Sequence, residues 1–186
     1  MRKVLTIVLL AALTFPAYMQ ELSRKEQRQL EKELKKEQAA KELEEKSVVV
    51  TAMVNHSTFV LEAFTLRNKR GESIQVSSAL NFVAVDSTRG ILQIGDNAGI
   101  GANGVGGITV EGQVSDYKFT QHERSGNYTV SYYLLTTLGT YDVRLTAFPD
   151  GRADATISHS TWGGRITYTG YLVPTALSRV YKGISL

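Results

Sequence analysis

Hydrophobic and polar positions change their rhythm twice along this chain. Val4 to Phe15 is a predominantly apolar run of 12 residues; Gln20 to Lys46 is saturated with charge; from about Ser47 apolar and polar residues alternate. A period of two along short segments is the signature of strands with one buried face, whereas unbroken Glu, Lys, Gln, Arg, Leu and Ala favour a helix. The expected fold is therefore α+β, mainly β. An N-terminal charged helix is followed by a curved antiparallel sheet or partial barrel of about nine to ten strands. The expected division is a signal peptide over 1–19, a charged helical arm over 20–56 and an antiparallel β domain over 57–186.

In the arm, Ser23 followed by Glu26 fits a capping box. Glu precedes Lys by four at Glu21/Lys25, Glu31/Lys35, Glu37/Lys41 and Glu42/Lys46, each pair adding about 0.2–0.5 kcal/mol. Leu22, Leu30, Leu34 and Leu43 share no sustained heptad seam, so a coiled coil is not expected. The arm reads as a solvated helix, or as a spacer or partner-binding helix of ~40 Å. Residues 47–56 are ambiguous. Val48, Val49, Val50 and Thr51 suit a strand, while Leu43, Val49, Val50, Met53 and Val54 form a stripe at helical spacing. The stripe favours a helix running on to about Asn55, its apolar end docked on the sheet.

Turn residues punctuate the body. Phe59, Leu61 and Ala63 alternate with Val60, Glu62 and Phe64 up to the turn at Asn68–Gly71. Leu80–Val85 and Ile91–Ile94 flank a turn at Ser87–Gly90, and Ile108–Val114 and Tyr117–His122 read as another pair. Ser125-Gly126 signals a hairpin between Lys118–Arg124 and Asn127–Thr137. Tyr141, Val143, Leu145 and Ala147 share a face, then Pro149-Asp150-Gly151 makes a strong turn. Ala153, Ala155 and Ile157 point inward after it, and Ile166, Tyr168 and Leu172 complete the set. Short links throughout imply an antiparallel meander and not βαβ units.

The leader carries Arg2 and Lys3, an apolar core, Pro16 and small Ala17, the organisation of a secretory signal peptide. It is shorter than the ~20 apolar residues of a bilayer span, so no transmembrane segment is expected in the mature chain. The mature protein is expected in the periplasm or outside a bacterial cell. The chain has no cysteine, which excludes disulfides, thiolate metal sites and an acylated N-terminal cysteine. Without Arg2 and Lys3 the formal charge of +3 falls to +1. The arm balances eight basic against eight acidic residues, and no basic stripe emerges, so nucleic acid is not an expected partner.

Signals of chemistry are thin. The segment Gly95–Gly107 holds six glycines and a literal GxGxxG at Gly99–Gly104. A dinucleotide site needs a helix after that motif, and here Ile108-Thr109-Val110 leads into a strand. No cofactor is expected, and the segment reads as a structural loop or a ligand- or partner-contacting one. Ser115–Lys118 matches SxxK, but on a strand residues three apart face opposite sides. His56, His122 and His159 lack metal-ligand spacing, and Asp154, His159 and Ser160 lack a nucleophile elbow. No metal site or catalytic residue is expected.

Several motifs recur in a recognisable order: Asn55 and then Phe59-x-Leu61-x-Ala63 after a charged helix, a Gly-rich middle and Gly106-Gly107-Ile108. Ser115-Asp116-Tyr117, Gly126-Asn127-Tyr128, Pro149–Ala153 and Ile166-x-Tyr168-x-Gly170 follow. On these the chain resembles the exported bacterial family catalogued as domain of unknown function 4251. The resemblance implies export and a shared fold, and supplies no activity.

Three function classes follow. The first is a non-enzymatic envelope protein binding a small molecule, lipid or peptide on or within the β domain. The second is an interaction module in an envelope assembly, and the third, ranked well behind, is an uncharacterised hydrolase. Candidate contact residues for a small molecule or an envelope protein are Asp96, Asn97 and Asn103 in the glycine-rich loop, Tyr132 and Tyr168 on the sheet, and Trp162 at a loop tip. Tyr128 and Tyr141 would join them, although interior tyrosines are more often plain core and a tryptophan such as Trp162 more often caps the barrel end.

Overall fold

The computed structural model describes residues 24–96, 101–160 and 164–186. The chain divides into two units, Met1–Ala39 and Ala40–Leu186. Helix α1 spans Arg24–Asn55, and in the first unit every residue from Lys25 to Ala39 is exposed. That exposure is what charge on all sides of a helix dictates. The expected cap Ser23 lies outside the described residues.

In the second unit the helix continues to Asn55, and its character changes there. Val50, Met53 and Val54 are 2%, 5% and 0% exposed and belong to the barrel core, each burial worth about 1.5–3 kcal/mol. Packing, not propensity, thus keeps the β-branched run helical. The Tyr117 hydroxyl donates to the Val54 carbonyl at 2.9 Å, satisfying a backbone acceptor at the helix end. Ser57, at φ 52°, then turns the chain into the sheet.

Nine strands follow: β1 (Thr58–Asn68), β2 (Ser73–Gln75), β3 (Phe82–Asp86), β4 (Arg89–Ile94), β5 (Ile108–Gln121), β6 (Tyr128–Thr136), β7 (Gly139–Ala147), β8 (Arg152–His159) and β9 (Arg165–Val173). All pairings are antiparallel, running β1-β3-β4-β5-β6-β7-β8-β9 and back to β1. The sheet is therefore a closed eight-stranded barrel, with β2 an extra strand beside Thr65–Arg67 of β1. Closure needs sharp bending, and two irregularities supply it. In β1 the register slips between Ala63 and Thr65 against β9. Opposite lies Gly170, where a Cβ would stand 2.1 Å from the Glu62 carbonyl oxygen, so the strands approach as only glycine allows.

The second irregularity corrects an expectation. Ile108–Val114 and Tyr117–His122 are not two paired strands but one bent strand, β5, with a register shift between Ser115 and Lys118. Asp116 sits there at φ 53°, making a bulge and not a turn. Alternation elsewhere translates directly into faces. Val143, Leu145, Ala147, Ala153, Ala155 and Ile157 point inward and are at most 2% exposed. Val180 and its neighbours follow an unexpected path. After Pro174 a single 3-10 turn, Thr175–Leu177, precedes a C-terminal tail, residues 178–186. Its hydrogen bonds run from Glu62 on β1 through Gln93 on β4 to Thr109 on β5.

Candidate functional site

The described candidate residues fall in two places. Tyr132 and Tyr168 lie in the barrel interior at 2% and 0% exposure. Alternation on β6 and β9 turns them inward. Tyr168 reaches from β9 to β4 and donates to the Gln93 carbonyl at 3.1 Å. Tyr132 stacks against Tyr117 with ring centroids 6.1 Å apart, and its hydroxyl is buried without a hydrogen-bond partner among the described residues. Burial pushes the Tyr132 and Tyr168 phenols far up, and pushes Tyr117 up to about 12. These phenols are neutral packing groups. Phe59, Leu61, Leu134 and Leu145, at no more than 1% exposure, fill the space around them.

Asp96 and Asn103 lie in the loop between β4 and β5. Asp96 donates its backbone N–H to the Val105 carbonyl at 2.8 Å, and its carboxylate packs over Gly106. Asn103 is 1% exposed, and its amide is consumed within the fold. Nδ2 donates to the Ile94 carbonyl and the Thr109 hydroxyl, both at 3.1 Å. Oδ1 accepts from the backbone N–H groups of Val105 and Gly107 at 3.1 and 2.9 Å. Asn103 therefore braces the loop. Asn97 and Trp162 lie outside the described residues.

Sequence reasoning missed a polar network on the outer barrel wall. Asn81, Gln93 and Thr109 are each 0% exposed, although Gln93 and Thr109 pair across β4 and β5 on the outward face. Thr109 donates its hydroxyl to Gln93 Oε1 at 2.8 Å, and Gln93 Nε2 donates to the Leu80 carbonyl at 3.0 Å. Asn81 exchanges hydrogen bonds with the Gly95 backbone at 2.8 and 3.1 Å. Nothing in a single outward Gln or Thr distinguishes it from a solvated one. The signal is visible only in the burial of both together.

Two grooves flank the last turns of α1 at the barrel rim. One, of about 380 Å³, is bordered by Leu43, Val50, Tyr128 and Pro149. The other, of about 440 Å³, is bordered by Val49, Met53, Tyr171 and Leu172. Among the described residues no group of three or more His, Asp or Glu side chains is placed to hold a metal ion. Ser115 and Lys118 lie on β5, each beside Asp116, with no helix to bring them together.

The pattern of a family described as Domain of unknown function (DUF4251) matches residues 41–172. A solved structure, a DUF4251 family protein from Bacteroides eggerthii DSM 20697, is similar at 32% identity and a TM-score of 0.62. The likeness covers 73% of this chain and 91% of that one. No curated protein matches. The helix end, the glycine-rich loop and the barrel up to Leu172 fall within the matched residues, and the chain belongs to the DUF4251 family.

Proposed function

We propose that this chain is an exported, non-enzymatic envelope protein whose barrel is a rigid scaffold for binding a protein partner. The observation that carries the reading is the filled interior. Tyr132, Tyr168, Phe59 and Leu145 occupy it, and Val50, Met53 and Val54 join the same core from the helix end. Recognition is then left to the outside. At the rim, apolar Leu43 and Val49 are 46% and 43% exposed beside the two grooves. Glu44, Glu45, Lys46 and Asp150 border those grooves with charge of both signs. That combination suits an amphipathic helix from another envelope protein, its apolar side in the groove and its charges at the edge. Export is supported by the basic, then apolar, leader with Ala17 near a cleavage point. The outward charges of Arg144 and Asp154 are the reverse of a lipid-facing barrel wall.

Photo-crosslinking amino acids placed at Leu43 or Val49 in living cells are expected to trap a discrete protein adduct, and one at Thr156 to trap none. Leu43→Asp should abolish the Val49 adduct. A stoichiometric small molecule retained in native mass spectrometry, with no adduct at the rim, would overturn this reading in favour of an internal ligand. Export is tested by sequencing the N-terminus of the fractionated protein. An unprocessed Met1 in the cytosol would defeat it.

A further inference from the structure

The outer barrel wall over β1, β3, β4 and β5 differs from an ordinary solvated sheet face. Register places Val60, Phe82, Gln93 and Thr109 there, yet they are 2%, 1%, 0% and 0% exposed. A polar side chain sealed on an outer wall must find partners, and the C-terminal tail supplies them through its main chain. Gln93 Nε2 donates to the Tyr181 carbonyl, and Gln93 Oε1 accepts from the Gly183 N–H, both at 2.8 Å. Tyr181 N–H donates to the Ala79 carbonyl at 2.8 Å, Ile184 N–H to the Asn103 carbonyl at 3.0 Å and Leu186 N–H to the Thr109 carbonyl at 3.1 Å. The Thr137 hydroxyl donates to the Leu186 carbonyl at 3.0 Å. At the other end Glu62 accepts from the Ser178 hydroxyl at 2.7 Å and the Arg179 N–H at 3.2 Å.

The tail's large side chains take little part: Tyr181 and Ile184 are 63% and 69% exposed, as is Leu177 of the preceding turn at 71%. The half-buried positions are Ser178, Val180, Gly183 and Ser185, and the side-chain bonds are those of Ser178 to Glu62 and of Lys182 and Ser185 to Glu111. Specificity sits mainly at Gly183, where a Cβ would stand 2.5 Å from the Asn103 carbonyl oxygen. The wall thus reads an extended backbone with one obligatory glycine, the logic of strand-like peptide capture.

We propose that this outer groove is a docking site for an extended polypeptide, filled in cis by residues 178–186, and that its occupant in trans is the same segment of a second copy. Complementarity to that segment is already on display. Only Pro174 and the single turn Thr175–Leu177 join the tail to β9, so exchange between copies remakes the same hydrogen bonds. The inference stands on the tail and goes beyond the rim reading.

The test uses the full-length chain and a fluorescent synthetic peptide of residues 174–186. In a Gly183→Val chain the cis tail no longer fits, so the peptide should bind at least tenfold more tightly than to the wild-type chain. A peptide carrying the same Gly183→Val change should bind that chain at least tenfold more weakly than the unaltered one. Separately, two differently tagged wild-type chains mixed at high concentration should co-purify, increasingly with concentration, and excess peptide should suppress this. A variant folded by circular dichroism that takes up neither peptide would overturn the groove as a docking site. Peptide uptake without any co-purification would overturn the second copy as occupant and leave a segment of another protein. Should the variant fail to fold, the wild-type mixing experiment decides alone: no peptide-suppressible co-purification, no exchange.

Discussion

Along β7 and β8 the outward residues Arg144, Thr146, Asp154 and Thr156 remain at least partly open to water, whereas along β1, β3, β4 and β5 the outward Val60, Phe82, Gln93 and Thr109 are sealed. Both walls follow the same two-residue alternation, and both turn an apolar face inward. The difference is that one wall carries a peptide segment of its own chain. A half-buried sheet face and a covered one demand different things of a polar residue. Thr156, partly exposed, has the Thr167 hydroxyl 3.3 Å away and water beyond, while Gln93 must satisfy its whole amide inside the protein. The polar network is therefore part of the fold's interior, although it sits outside the barrel.

Substitutions can break this comparison in order of size. Leu145→Ala, in the filled interior, should lower equilibrium stability by about 2–5 kcal/mol in denaturant titration. Gln93→Leu should cost about 1–3 kcal/mol, because the Gly183 N–H and the Tyr181 and Leu80 carbonyls lose their partner. Hydrogen exchange at Tyr181, Gly183 and Ile184 should accelerate in that variant. Thr156→Leu on the open wall should stay within about 0.5 kcal/mol. Equal costs at Gln93 and Thr156 would mean that the tail does not seal the wall.

Two tyrosines sharpen the interior side. Tyr117→Phe should cost about 0.5–1.5 kcal/mol, since the Val54 carbonyl loses its donor. Tyr132→Phe removes a hydroxyl that has no partner among the described residues, and should leave stability unchanged or raise it by up to about 1 kcal/mol. A loss at Tyr132 as large as that at Tyr117 would reveal a partner for its hydroxyl.

The two regions should also fail at opposite ends of the pH scale. Burial raises Tyr117 from 10.0 to about 12, so its contribution is complete below the unfolded value and is lost as pH climbs from there through the folded one. Glu111, on β5 beneath the tail, moves the other way. A hydrogen bond from Lys182 holds its carboxyl below the ordinary 4.5 against a smaller opposing effect of burial, and Arg89 adds to the lowering. That contribution is present above the unfolded value and is lost as pH falls through the folded one. Acid should thus free the tail first, seen as faster hydrogen exchange at residues 181–186, and Lys182→Ala should remove most of that acid response. Its effect on global stability should be the smallest of the set, because Lys182 at 40% exposure leaves this half-buried pair open to screening by solvent.

The local rules wrote much of the barrel into the chain. Ala153, Ala155 and Ile157 on β8, set against Arg152, Asp154 and Thr156, declare their inward face by alternation alone, whereas on β1 the apolar Val60 and Phe64 blur it. Pro149-Asp150-Gly151 declares its turn, with Gly151 at φ 87°. The site was less legible. Asn103 invites a ligand reading as a polar residue among glycines, and only its four hydrogen bonds, two within the loop and two to β4 and β5, show it spent as a brace. Gln93 and Thr109 gave no local sign, because the groups that seal them come from residues far along the chain.

By itself, the order of residues determined the charged helix, the strand alternation and the turns, since each depends on neighbours within a few positions. Closure of β9 onto β1, the merging of two short segments into the bent β5, and the seating of the tail on the outer wall were decided only by tertiary structure. Those outcomes rest on contacts between distant residues, such as Gly170 against Glu62 and Gly183 against Asn103. No local pattern encodes a distance of that kind.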